Sequence, residues 1–254
     1  VDSFPRDDHS SYRELSYVLS SHYEIIPLDF TVRSDVHPCP YLPGREAQEQ
    51  VFKAAEFPPE LYHDFMNHEF RRAGLIMYRP ICAGCWECRP LRVPVTVHRP
   101  SKSHQRILRK NSDVDVRVQR PKFTREKYRL YRDYVSFKHE KSLCESSAAL
   151  RSSLYTSSVQ TLEFEYRLEG RLIAVGIVDV CSRSLSSVYA FYAPDWADRS
   201  LGTFSALKEI VFCRDFGIPH YYPGFFVQDC PAMNYKSRFR PHEILDRSLR
   251  WLAR

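Results

Sequence analysis

Long apolar runs are missing from these 254 residues. No segment approaches the roughly 18 consecutive apolar residues of a membrane-spanning helix. Cysteine, at eight in the chain, is too sparse for a disulfide scaffold, and neither end reads as a secretory signal. No internal repeat is visible, and no Gly-rich loop stands where a strand meets a helix. The expectation is a soluble protein of a reducing cytoplasm, large enough for one sizeable domain or two small ones. Charge excess is also small: 37 Lys and Arg against 31 Asp and Glu give +6, which suits an anionic partner without identifying one.

What is present is a concentration of chemistry between Arg71 and Lys110. Cys82, Cys85 and Cys88 stand at CxxCxxC spacing around Gly84, and Cys39 lies upstream in the turn-rich Cys39–Arg45 segment. Four thiols match the ligand set of zinc or of an iron–sulfur cluster, with packed free thiols as the plainer reading. Cys144, Cys181 and Cys213 stand apart and read as small buried hydrophobes. Downstream, Lys102, Arg106, Arg109 and Lys110 fall on a helical pattern that shares one face. With Arg71 and Arg72 just before the thiols, they are candidates to track a phosphate backbone. An ordinary solvated basic face is the competing reading.

The order of elements gives a fold class. Helices are expected over 58–70, 103–111, 122–140 and 201–216, with helix-forming composition also at Glu46–Phe52. Strands are expected around Tyr23–Phe30 and over 75–79, 91–97, 162–168, 172–180, 186–192 and 221–226, and 142–158 reads as a loop with a short helix. Three meandering strands, a helix and a further strand are the plan of an acetyltransferase-like (GNAT-like) α+β mixed sheet with helices. The expected division is a cysteine-bearing N-terminal region, residues 1–120, and a catalytic half, residues 121–254.

In that half, Arg199-Ser-Leu-Gly202 opens a helix whose free amides favour an anion, unless Ser200 merely caps it. Lys236 and Arg238 could hold a carboxylate or be surface charge. His139 and His220 could move protons, although lone histidines are more often structural.

Cys39-Pro-Tyr-Leu-Pro-Gly-Arg45, Phe70-Arg-Arg-Ala-Gly74, Tyr78-Arg-Pro80, the three thiols, Leu91-Arg-Val-Pro-Val95, Pro100-Ser101 and Gln105-Arg106 follow one another in order. With Val188-Tyr-Ala-Phe-Tyr192, Arg199–Gly202 and Met233-Asn-Tyr-Lys236, this string resembles the aminoacyl-tRNA:protein transferases that build N-degrons. Its length and the Tyr41–Arg45 segment resemble the bacterial leucyl-transferring branch. The longer eukaryotic arginyltransferases carry a second cysteine where this chain has Leu42.

The resemblance implies transfer of leucine, or else arginine, from charged tRNA to the α-amine of proteins beginning with Asp or Glu, marking them for degradation. An activated ester needs positioning more than a covalent nucleophile, consistent with the lack of a visible triad. On that reading Tyr189, Tyr192, Tyr235 and Lys236 are the catalytic candidates. Arg71, Arg72, Lys102, Arg106, Arg109 and Lys110 hold tRNA, and Lys236, Arg238, Arg45 and Arg79 bind the acceptor's acidic side chain. Cys39, Cys82, Cys85 and Cys88 are the metal candidates, and no organic cofactor is expected. The competing classes are a coenzyme A-dependent acyltransferase and a non-catalytic, metal-dependent RNA-binding module.

Overall fold

The computed structural model describes residues 31–138, 146–181 and 183–254; the strand expected around Tyr23–Phe30, together with His139 and Cys144, lies outside them. The described chain opens with β1 (Val32–Arg33), β2 (His37–Pro38), β3 (Glu46–Ala47) and β4 (Glu49–Lys53). Helix α1 (Pro59–Asn67) follows, then β5 (Arg71–Ala73) and β6 (Ile76–Pro80). These strands form a four-stranded sheet ordered β1-β4-β6-β5, with β2 and β3 pairing separately across the Cys39–Arg45 turn. The helix expected at Glu46–Phe52 is therefore replaced by strands. Val51 and Phe52 pair with Tyr78 and Met77, and this tertiary pairing overrides the local composition.

The chain then passes through β7 (Arg89–Pro94), α2 (Lys102–Lys110), β8 (Asp115–Gln119), α3 (Arg125–Lys138) and α4 (Ser147–Leu154). The meander β9 (Thr161–Leu168), β10 (Arg171–Cys181) and β11 (Ser184–Tyr192) leads to α5 (Leu201–Asp215) and β12 (His220–Phe226). The short α6 (Pro231–Asn234), β13 (Glu243–Leu245) and β14 (Trp251–Ala253) complete it. Eight strands make the large sheet, in the order β14-β13-β7-β12-β11-β10-β9-β8.

β10 carries an almost unbroken apolar run and is buried on both faces, as a central strand between helical layers must be. On one face Leu172, Val175 and Ile177 pack with Leu130, Tyr131 and Val135 of α3 and Leu150 and Leu154 of α4. On the other, Ile173 and Val178 join Phe204, Leu207 and Ile210 of α5. This is the expected acetyltransferase-like α+β arrangement.

The expected boundary at residue 120 is not a break in the packing. β7 and β8 come from before it, yet β7 sits between β12 and β13, and β8 extends the meander. The small sheet is also fastened to the large one. Arg72 on β5 makes a two-pronged bond to Asp179 on β10 at 2.8 and 2.6 Å, with both side chains wholly buried.

Candidate active site

β11 and β12 are parallel neighbours over only three pairs, Ser184–Ser186 with His220–Tyr222. Beyond that point the ladder stops, and β11 changes from buried to half-buried. Such a parting in a parallel pair opens a wedge where a ligand can reach main-chain groups. Tyr189 and Tyr192 extend along β11 past the split. Tyr134 of α3 packs edge-on against both, with ring centroids 6.3 and 4.9 Å away. Tyr235 follows α6, and burial, then Glu209 and Tyr192, push its hydroxyl up to about 12. Three tyrosines expected from the sequence thus converge, with Tyr134 as an unforeseen fourth.

Glu209 also escaped the sequence reading. It is buried on α5 and accepts hydrogen bonds from Ser205 and from Tyr221, each at 2.7 Å. Its carboxyl is raised by burial, with the hydroxyls of Tyr221, Ser205 and Ser187 opposing that shift. Tyr221 and Ser187 lie beside the point where the strands part, so Glu209 ties the base of the wedge together.

Next to this wedge lie two buried cations. Lys236 donates to the Phe225 carbonyl at 2.8 Å and reaches Met233 Sδ at 3.5 Å. Burial, then the charge of Arg71, holds its ammonium down at about 7. Gly224 makes room for it: a Cβ there would stand 3.3 Å from Nζ, and the backbone has φ +102°, a conformation that favours glycine. Arg71 lies over the Tyr222 and Phe225 rings at 5.6 and 5.1 Å and donates through Nη1 to the Met66 and Phe70 carbonyls. Its Nε and Nη2 are buried without an acceptor. Each buried unsatisfied donor costs about 1–3 kcal/mol, and more when charged.

The placement of Arg71 and Arg72 corrects the expected tRNA surface. Both are buried, Arg72 by its partnership with Asp179 and Arg71 between aromatic rings, so neither lies on a face that could follow a phosphate backbone. They are neighbours on a strand, and the period of two sends them to different surroundings. Period-two spacing in the Arg71–Ala73 segment is the sequence signal that separates them.

The other acceptor candidates are also used differently. Arg45 points to Cys85 Sγ at 3.5 Å, Arg79 bonds Gln50 at 2.7 Å and covers Phe70, and Arg238 is exposed. Arg71 is the cation set beside Lys236.

The thiol loop lies near these cations. Cys88 is pushed up to about 12 by burial and then by Cys39, Cys82 and Cys85, so these three thiols lie within electrostatic reach of it. Cys39 and Cys88 also pack with Leu42, Val227, Cys230 and Met233. Soft thiol donors suit zinc or iron. Among the described residues, however, no group of three or more His, Cys, Asp or Glu side chains is arranged to hold a metal ion. Cys82 instead meets the Gln48 carbonyl at 3.8 Å. As arranged here, the four thiols do not fit a closed metal site. Cys181 and Cys213 are buried, in keeping with their reading as small hydrophobes.

On α2, Ser101 caps the helix by accepting from the His104 amide, and His104 turns inward to stack on Phe239 at 4.9 Å. This leaves Lys102, Arg106, Arg109 and Lys110 exposed. Lys110 is bonded to Asp198 at 2.7 Å. Arg199 is likewise committed, to Asp113 at 2.8 and 3.1 Å, while Ser200 enters α5 with φ 55° and no side-chain cap. His220 is half-buried on β12, its pKa lowered by burial.

Residues 37–106 match the family model for the N terminus of arginine-tRNA-protein transferase, and 126–246 match the model for its C terminus. The aspartate/glutamate leucyltransferase of Halorhodospira halophila is 37% identical over 220 residues, covering 85% of this chain and 93% of that protein. The aspartate/glutamate leucyltransferase of Pseudomonas paraeruginosa is 36% identical over 222 residues, with the same coverage. Among solved structures, the C-terminal domain of a lysylphosphatidylglycerol synthetase from Agrobacterium fabrum aligns with a TM-score of 0.46 at 12% identity, over 80% of this chain and 65% of that one. With both family models matched in order and the relatives matched over nearly their whole length, the chain belongs to the arginine-tRNA-protein transferase family.

Proposed function

We propose that this protein moves leucine from its charged tRNA onto the N-terminal α-amine of proteins that begin with Asp or Glu, marking them for degradation. The observation that carries this reading is the wedge between β11 and β12, lined by Tyr189, Tyr192 and Tyr235 and flanked by Lys236, in a chain of this family. The amine nitrogen attacks the ester carbonyl carbon, the carbonyl oxygen takes up negative charge, and the ester bond breaks to release the ribose oxygen. An α-amine with a pKa of about 7.7–8.0 is already partly neutral near pH 7, so orientation contributes more than a strong base. Main-chain amides along the parted edge of β11 support the oxyanion. The tyrosine hydroxyls carry the amine's proton toward the departing oxygen.

The tRNA acceptor arm lies against the exposed face of α2, where Lys102, Arg106 and Arg109 project with no ion pair to another described residue and Lys110 joins them by exchanging Asp198 for phosphate. The committed Arg199 leaves the start of α5 poorly suited to coenzyme A. Among the described residues no helix is long and apolar enough to cross a membrane.

One assay tests the reading. The protein is incubated with labelled Leu-tRNA or Arg-tRNA and with peptides beginning with Asp, Glu or Ala. Label from Leu-tRNA is expected in the Asp and Glu peptides alone, whereas tRNA binding without transfer, or stabilisation by acetyl-coenzyme A, would refute it. Zinc and iron analysis of the same anaerobic preparation decides whether the thiols bind metal: active, metal-free protein reduces them to packing.

A further inference from the structure

We propose that His104 is a positioning residue: by stacking on Phe239 it holds the turn that carries Tyr235 and Lys236, and so links tRNA on the outer face of α2 to the wedge. This rests on the transferase reading, with the acceptor arm on α2, and adds the contact through which the bound donor sets the site. The helix has two faces with separate partners. Outward it shows Lys102, Arg106 and Arg109. Inward it sends His104, its one fully buried residue, onto the wholly buried Phe239, with ring centroids 4.9 Å apart and planes 27° from parallel. A second buried ring, His98, lies 6.5 Å from His104 at 29°, and its amide donates to the carbonyl of Pro94 at the end of β7. His104 is thereby braced from the loop that leaves the large sheet.

Phe239 directly follows the short helical turn Tyr235–Arg238, and its amide donates to the Lys236 carbonyl at 3.3 Å. That turn is tied to β12 by Lys236, which donates to the Phe225 carbonyl at 2.8 Å, and to α2 by Phe239. Cutting the second tie leaves Tyr235 free to swing about the first, and a misplacement of about 1 Å at a reacting group costs on the order of 100-fold in rate. The C-terminal end of α2 is fastened to the opposite wall. Asn111 donates to the Arg199 carbonyl at 2.9 Å and Lys110 to the Asp198 carbonyl at 2.8 Å, just before α5 opens. A single rigid element thus contacts the segment that opens α5 and the segment that carries Tyr235, which is what coupling between two sites requires.

The test measures tRNA binding and the transfer rate at saturating Leu-tRNA separately, in wild type, His104→Ala, His104→Phe and Phe239→Leu. His104→Ala is expected to bind tRNA no more weakly and with the same salt slope, because its phosphate contacts remain. Its transfer rate is expected to fall by about ten- to a hundred-fold. His104→Phe restores a flat ring and removes a buried ring nitrogen that has no partner, so it should recover most of the rate and melt no lower than His104→Ala. Joining His104→Ala to Phe239→Leu should cost little more than the larger single loss, since both cut one contact. Uncharged tRNA should slow hydrogen exchange in residues 235–239 of wild type and not of His104→Ala.

Wild type that transfers leucine while His104→Ala keeps the full rate overturns the positioning role and leaves the transferase reading intact. Loss of tRNA binding in His104→Ala, additive losses in the double variant, or exchange in wild type that tRNA leaves unchanged also overturns it. So does a folded His104→Phe that recovers nothing, and if that variant does not fold, the double variant decides. Wild type that neither binds tRNA nor transfers overturns the transferase reading as well.

Discussion

Single residues in this protein change role with their depth. Arg71 and Arg72 share a charge and a strand, but Asp179 neutralises Arg72, whereas among the described residues no carboxylate is ion-paired with Arg71. Histidines show the same effect in a form that pH can read. His63 and His98 are both pushed down to about 4, first by burial, then by neighbouring charges, Arg183 for His63 and His104 for His98. The unfolded chain takes up these protons near pH 6.5, whereas the folded one resists until about 4. Their contribution is therefore complete above pH 6.5 and is lost as pH falls toward 4, by up to about 1.4 kcal/mol per pH unit for each histidine. Urea midpoints should fall steadily from pH 7 to 5, and His98→Leu should flatten the slope; a midpoint independent of pH would contradict this. Such depth effects explain why the sequence located the chemistry but mixed its roles. The thiols, Lys236 and the tyrosines were visible as residue types in motifs. Arg71 stood in the Phe70–Gly74 motif but read as a phosphate contact, because its burial depends on tertiary packing, and Glu209 carried no motif at all.

Elements were legible where local signals and tertiary packing agreed. Helix α2 begins after Pro100 with Ser101 as its cap, and α5 stops before Gly217, as their sequences require. Glu46–Phe52 was not legible, since its polar composition favours a helix and only pairing with β6 makes it a strand. For α2 the basic face has a measurable consequence. Replacing Arg106 and Arg109 by Ala should weaken tRNA binding and lower the salt slope by about one unit for each phosphate left without its cation. Filter binding over a range of salt concentrations checks this, and an unchanged slope would remove α2 from the tRNA surface. Replacing Lys110 alone should do less, because Asp198 already satisfies it.

At the scale of the whole molecule, two halves predicted from the sequence turn out to be interleaved. A fragment of residues 121–254 lacks β7, so β12 and β13 lose the strand that joins them. It should show little near-ultraviolet dichroism and rapid proteolysis, whereas the full chain should show both a native spectrum and protease resistance. Folding from the N terminus is constrained in the same way during synthesis. While the ribosome is still making the middle of the chain, residues 89–94 have no strand to join, and Arg71 has been translated 165 residues before the lysine it must meet. A chain interrupted before residue 220 therefore carries β7 with neither of its neighbours and a wedge with only one wall, so the site arrives only with the last thirty-five or so residues.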